Sequence, residues 1–61
     1  MAGYLLTKRN DVPLLVGSNV TFDNQPAYIK HMDEKTGWVY IKQKGHVYRI
    51  YPSSIGAKWF L

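Results

Sequence analysis

The sequence predicts an all-β domain, a small and strongly bent five-stranded barrel. Three observations support this fold class. Apolar and polar residues alternate with period two in several segments after Val20, which is typical of strands that bury one face. Apolar residues never repeat at helical spacing, and glycine, proline or asparagine recurs every few residues. With 61 residues, the chain has room for one small domain with a marginal core, and without cysteine no disulfide can supplement that core.

Turn residues separate the strands and fix their order. Five strands are predicted, at residues 20–22, 27–32, 38–43, 46–51 and 57–61. Lys44-Gly45 predicts a two-residue hairpin turn, because glycine can adopt the positive φ that such turns require. Residues 52–56 predict a short 3₁₀ turn before the last strand. We expect residues 1–15 to form a short irregular N-terminal arm, extended at 4–7, and residues 16–61 to form the single barrel domain.

The segment around Pro52 carries a family resemblance. A turn glycine, Gly17, precedes the first strand of a three-strand meander, and Tyr51-Pro52-Ser53-Ser54-Ile55 precedes the last strand. In these features the chain from about Val16 to Leu61 resembles the Src-homology-3-like small barrels, which have a 3₁₀ turn at this place. The peptide-binding members also carry an acidic loop and an Ala-Leu-Tyr-Asp-Tyr-like start. This chain has neither, so the resemblance does not imply recognition of proline-rich peptides.

A second, shorter resemblance concerns an enzyme family. Tyr48-Arg49-Ile50-Tyr51-Pro52, together with Gly37-Trp38, resembles the Val-Gln-Ile-Tyr-Pro active-site strand of the plasmid-borne type-B dihydrofolate reductases. Those enzymes are small barrels that assemble as tetramers around a pore. Arg49 replaces the glutamine that contacts ligands, and the pore lysine has no counterpart near Thr21 to Asn24. A reductase tetramer is therefore the remote alternative.

Catalytic and metal-binding patterns are missing from the rest of the sequence. The two histidines and four acids are scattered, and the glycines are single turn residues rather than a phosphate-binding loop. Ser53 and Ser54 have no histidine or acid at a spacing typical of nucleophilic catalysis. We therefore expect a non-enzymatic protein with no cofactor and no metal.

The turns also predict the registers of the hairpins, and the registers predict two faces. The Lys44-Gly45 turn places Tyr40 opposite Arg49, and the loop at 33–37 places His31 opposite Val39. The core-forming face then holds Val20, Phe22, Ala27, Ile29, His31, Val39, Ile41, Tyr48, Ile50 and Ile55. The opposite face holds Tyr28, Lys30, Met32, Trp38, Tyr40, Lys42, Val47, Arg49 and Tyr51.

This opposite face is the candidate binding site, because aromatic and cationic side chains interleave on it. The net charge is +4, and all four acids occur at or before Glu34. Bases stack on aromatic rings while lysine and arginine neutralise the phosphates. The pattern predicts binding of nucleic acid, DNA or RNA. The expected contact residues are Tyr28, Lys30, Trp38, Tyr40, Lys42, Arg49 and Tyr51.

Two other interpretations fit the same face. Tryptophan, tyrosine and arginine are enriched at protein interfaces, which would suit a homo-oligomer or an assembly or inhibitor protein such as a phage or mobile element encodes. The face could also be plain barrel surface, with lysine and arginine stems lying over rings. The longest apolar stretch, 12–16, is too short to span a membrane, and the first residues do not resemble a secretory signal. We therefore expect a cytoplasmic protein without a membrane partner.

Overall fold

The computed structural model of the chain describes residues 3–60, which form β-strands, one 3₁₀ turn and their connections. The strands are β1 (Tyr4–Thr7), β2 (Pro13–Leu14), β3 (Asn19–Phe22), β4 (Gln25–Met32), β5 (Val39–Gln43), β6 (His46–Ile50) and β7 (Ala57–Phe60), with the 3₁₀ turn at Pro52–Ile55. They make two antiparallel sheets: sheet 1 in the order β2-β1-β7 and sheet 2 in the order β3-β4-β5-β6. The all-β class is confirmed. Within residues 3–60, no helix is long and apolar enough to cross a bilayer.

The five predicted strands correspond to β3 through β7, and β4 begins two residues earlier than expected. Its start follows a two-residue turn at Asp23 and Asn24, whose φ angles are 54° and 62°. Aspartate and asparagine tolerate this left-handed region. Pro26 lies in β4 opposite Thr21, before the pairing of β4 with β5 begins at Tyr28. The missing N–H of this proline therefore removes no bond between β4 and β5.

The N-terminal residues are extended at 4–7 as expected, but they are more regular than an arm because they belong to a sheet. Residues 4–7 form β1, which lies between β2 and β7 and pairs with both. Leu5, in the middle of β1, is only 2% exposed. The pairing joins opposite ends of the chain, and a short local pattern contains no information about such a distant partner. Met1, Ala2 and Leu61, which the predictions for the arm and the last strand include, lie outside the described residues.

One core joins the two sheets. The buried side chains come from sheet 1 (Leu5, Leu14, Ala57) and from sheet 2 (Ala27, Ile29, Val39, Ile41, Ile50). A hydrogen bond also links the sheets, because Trp59 Nε1 in β7 donates to the carbonyl oxygen of Gly37 at 2.9 Å. The inner face of sheet 2 is therefore the face packed against sheet 1. We call the opposite side the outer face of sheet 2.

The predicted register of the β5–β6 hairpin is confirmed. Tyr40 lies opposite Arg49, and Val39 lies opposite Ile50. The turn between the strands has positive φ at both central residues, 50° at Lys44 and 79° at Gly45. Two-residue turns of this kind match the twist of the flanking strands and leave only one register available.

The predicted register of β4 against β5 is correct only as far as Ile29. Ile29 lies opposite Ile41 as expected, but an irregularity follows, and His31 then lies opposite Tyr40 and Met32 opposite Val39. A β-bulge inserts one extra residue and shifts every side chain beyond it. His31 is therefore exposed rather than in the core. Met32, predicted on the outer face, packs against the core instead.

Tyr48 is the other predicted core residue that remains exposed, at 40% of its surface. It lies on β6, which is the edge strand of sheet 2. Its ring is 5.6 Å from that of Phe22, itself only partly buried. The strand face of Tyr48 was thus predicted correctly. Its ring stays partly exposed because β6 has no neighbouring strand on one side.

Candidate nucleic-acid interface

The outer face of sheet 2 presents the predicted site residues on three neighbouring strands and their extensions. Cross-strand pairing places Tyr28 beside Lys42 and Tyr40 beside Arg49. Tyr28, Lys30, Arg49 and Tyr51 are exposed, whereas Trp38, Tyr40 and Lys42 are partly buried. Fully buried side chains of the same strands lie beneath them, namely Ile29, Val39 and Ile41. Five of the seven site residues therefore lie on strands of a packed sheet, and Trp38 and Tyr51 directly flank β5 and β6.

Three of these side chains form one contact cluster. The rings of Trp38 and Tyr51 are stacked, with centroids 4.3 Å apart and planes inclined by 22°. The guanidinium carbon of Arg49 lies 4.4 Å from the centroid of the Trp38 ring. An arginine above an aromatic ring gains a cation–π contact and keeps the positive charge that can attract an anion. We call Arg49, Trp38 and Tyr51 the aromatic–arginine cluster.

The members of this cluster differ in how accessible they are. Trp38 is partly buried because it contacts both of the other side chains. Tyr51 keeps 59% of its surface exposed. Of the two rings, Tyr51 is therefore the one with room for a further flat group, while Trp38 holds the cluster together.

A second pair of rings lies on the same face. The His31 ring is 5.5 Å from that of Tyr40, with planes inclined by 44°. Sequence reasoning missed His31 because it assumed unbroken alternation along β4. One signal was present: Lys30 and His31 are two successive polar residues between the apolar Ile29 and Met32. Strict alternation would separate them, whereas a bulge accommodates both.

Carboxylates are confined to the connections between strands. Asp11 lies between β1 and β2, Asp23 between β3 and β4, and Asp33 and Glu34 between β4 and β5. Among residues 3–60, the one ion pair joins Lys58 Nζ to Asp11 Oδ1 at 3.1 Å. In that part of the chain, the cations of the outer face are thus not neutralised by carboxylates and remain available to an external anion.

Asp33, the acid that follows β4 most closely, is held by its own turn. Its Oδ1 accepts hydrogen bonds from the backbone amides of Lys35 at 3.0 Å and Thr36 at 3.3 Å. Hydrogen bonding by Thr36, through its side chain and its backbone, lowers the pKa of Asp33 below its ordinary value. The ionised carboxylate therefore stabilises the β4–β5 loop.

Within the described residues, no group of three His, Asp or Glu side chains could hold a metal ion. No family model matches the chain, and no curated protein or solved structure shows a significant similarity to it.

Proposed function

We propose that the protein is a non-enzymatic module that binds single-stranded nucleic acid on the outer face of sheet 2. The observation that supports this most is the aromatic–arginine cluster, on a face where residues 3–60 place no carboxylate. It combines stacked rings with a cation that forms no ion pair among residues 3–60. Stacking surfaces next to positive charge are what single strands require, because their bases are unpaired and their phosphates are close by.

In this proposal the rings and the cations have separate roles. A base stacks on Tyr51, which extends the contact that Tyr51 already makes with Trp38, and a second base stacks on Tyr28. Each stacked base contributes about 1 to 3 kcal/mol. Arg49, Lys42 and Lys30 contact the phosphates between and beside these bases. Such contacts read no base edges, so we expect little dependence on nucleotide sequence.

The first experiment compares two double variants that remove the same charge from different places. Lys42→Ala with Arg49→Ala removes two cations from the outer face, and Lys8→Ala with Arg9→Ala removes two from the exposed turn after β1. Binding of a labelled oligothymidylate is followed by fluorescence anisotropy at several salt concentrations. In a plot of log affinity against log salt, each phosphate contact with a single strand contributes about 0.7 to the slope. We expect the slope to fall by about 1.4 for the outer-face variant and to stay close to that of the wild type for the control.

Two outcomes would overturn the proposal. Equal losses in both variants would mean that binding depends on net charge and not on this face. An absence of binding by the wild type at low salt would favour a protein partner or self-association through the same rings. A duplex of the same length provides a further check, since a duplex bound as tightly as the single strand would leave base stacking without a role.

The proposal also includes the finer fold type and the location. An Src-homology-3-like arrangement is supported by the meander β3 to β6, followed by the 3₁₀ turn at Pro52–Ile55 and by β7. A cytoplasmic location is supported by the lack of cysteine, which suits a reducing compartment.

A further inference from the structure

The bulge in β4 gives the outer face a side chain that the period-two pattern assigns to the core. His31 is exposed and lies opposite Tyr40, with the two rings 5.5 Å apart. Tyr40 in turn lies opposite Arg49. The imidazole therefore lies in the same row of side chains as one of the proposed phosphate contacts, and next to Lys30 on its own strand.

The charged and titratable groups around His31 come from all the neighbouring elements. They are Lys30 on β4, Tyr40 on β5, Arg49 on β6 and Asp33 in the following loop. Asp33 is occupied by hydrogen bonds from its own turn. Among residues 3–60, His31 forms no ion pair with any carboxylate. A proton gained by His31 would therefore add a positive charge next to those of Lys30 and Arg49. The Asp33 carboxylate attracts this charge electrostatically but forms no ion pair with it.

We propose that protonated His31 is a phosphate contact of this site, so that the face binds single-stranded nucleic acid more tightly as the pH falls. The inference rests on the proposed function. Histidine side chains ordinarily gain their proton between about pH 8 and about pH 5. The thymine bases and the phosphodiesters of an oligothymidylate keep their charge over this range, so a change in affinity reports on the protein.

The experiment measures oligothymidylate affinity by anisotropy at about pH 8 and about pH 5.5, at constant ionic strength. One additional exposed ion pair corresponds to a gain of about two- to fivefold in affinity, and the salt slope should rise by about 0.7. In His31→Gln the gain should disappear. His31→Lys, which carries a permanent charge, should bind at the higher pH about as tightly as the wild type does at the lower pH.

His46 provides the matched control, because it is the second histidine of the chain and lies opposite Gln43 at the start of β6. His46→Gln should keep the full gain in affinity. The inference is wrong if the wild type binds equally well at both pH values, or if His46→Gln loses the gain while His31→Gln keeps it. In either case, if the wild type still binds the oligothymidylate at the higher pH, only the role of His31 is rejected and the proposed function stands. An absence of binding at both pH values would overturn the proposed function as well.

Discussion

The outer faces of the two sheets lie on opposite sides of one core and have different chemistry. On sheet 1, Tyr4 and Phe60 are cross-strand partners and both are largely exposed. The cation of this sheet, Lys58, forms an ion pair with Asp11. The outer face of sheet 1 thus exposes aromatic rings, but the charge beside them is neutralised within the chain.

Sheet 2 exposes rings of similar size beside cations that have no carboxylate partner among residues 3–60. Its aromatic–arginine cluster brings Arg49 within 4.4 Å of the Trp38 ring centroid. An exposed ring suits many partners, whereas an exposed ring beside an unneutralised cation suits an anion with flat groups, such as nucleic acid. Equally exposed rings on the two faces therefore serve as controls for each other.

The largest expected effect tests whether the two sheets really share one core. Leu5→Ala in sheet 1 should lower the free energy of unfolding by about 2 to 5 kcal/mol, because it removes a buried side chain and leaves a cavity. Leu15, which follows β2 and is 66% exposed, is the control, and Leu15→Ala should change stability by less than about 0.5 kcal/mol. Urea unfolding followed by tryptophan fluorescence measures both. Leu5→Val provides a milder variant if Leu5→Ala does not fold, and similar small effects at both leucines would show that sheet 1 is only loosely attached.

The next effect compares one ring from each outer face. Tyr51 is 59% exposed and Phe60 is 61% exposed, so the two rings are matched in their accessibility to a ligand. Tyr51→Ala should weaken oligothymidylate binding by about 1 to 3 kcal/mol, the usual contribution of a stacked base. Phe60→Ala should leave the affinity unchanged. Anisotropy titrations give both values, and a loss in Phe60→Ala equal to that in Tyr51→Ala would place the ligand elsewhere.

A smaller effect is expected when the bulge itself is removed. Lys30 is the extra residue of β4 between the pairs that Ile29 and His31 form with β5. Deleting it should restore regular pairing and leave Ile29, His31 and Met32 on their present faces. We expect the free energy of unfolding to change by no more than about 1 kcal/mol. Deleting Lys42 from the regular part of β5 is the control. It should unfold the protein, since a one-residue shift there moves core side chains outward. Comparable losses in the two deletions would contradict the bulge.

The smallest effect concerns Asp33, in the loop whose Gly37 carbonyl accepts the bond from Trp59 of sheet 1. Folding lowers the pKa of the Asp33 carboxyl below its ordinary value of 3.8. The ionised carboxylate therefore contributes stability that is fully present above pH 3.8. This contribution is lost as the pH falls through the lower pKa of the folded state. Asp33→Asn keeps an acceptor oxygen but cannot titrate, so its stability should fall less steeply below about pH 4 than that of the wild type. Thermal unfolding across this range measures the difference, and parallel curves would contradict the assignment.

The two hairpins of sheet 2 show what could be predicted from sequence and what could not. Lys44-Gly45 is a turn of defined length and geometry, so it determined which residues of β5 and β6 face each other. The loop at 33–37 is longer and leaves room for an irregularity, and the alternation rule then assigned His31 and Met32 to the wrong faces. All seven predicted site residues could be placed on one surface from the pattern. The contact between Arg49 and Trp38 depends on side-chain conformation, which the pattern does not contain.

The pairing of β1 with β7 was not predictable for a different reason. Tyr4 and Phe60 are partners from opposite ends of the described chain, and no local signal relates them. β1 finds β7 as its partner only when all the turns between the two strands have brought the chain ends together.

The pairing of β1 with β7 affects the order in which the two sheets form during folding. Sheet 2 is built from consecutive strands with two-residue turns at Asp23–Asn24 and Lys44–Gly45, so its contacts are local and can form early. Sheet 1 must bring β1 and β7 together across nearly the full chain, and the entropy of closing that loop opposes the step. We expect sheet 1 to form last during folding. Its amide hydrogens should also exchange with solvent before those of β4 and β5, so the face that carries the proposed ligand stays ordered while the opposite sheet opens.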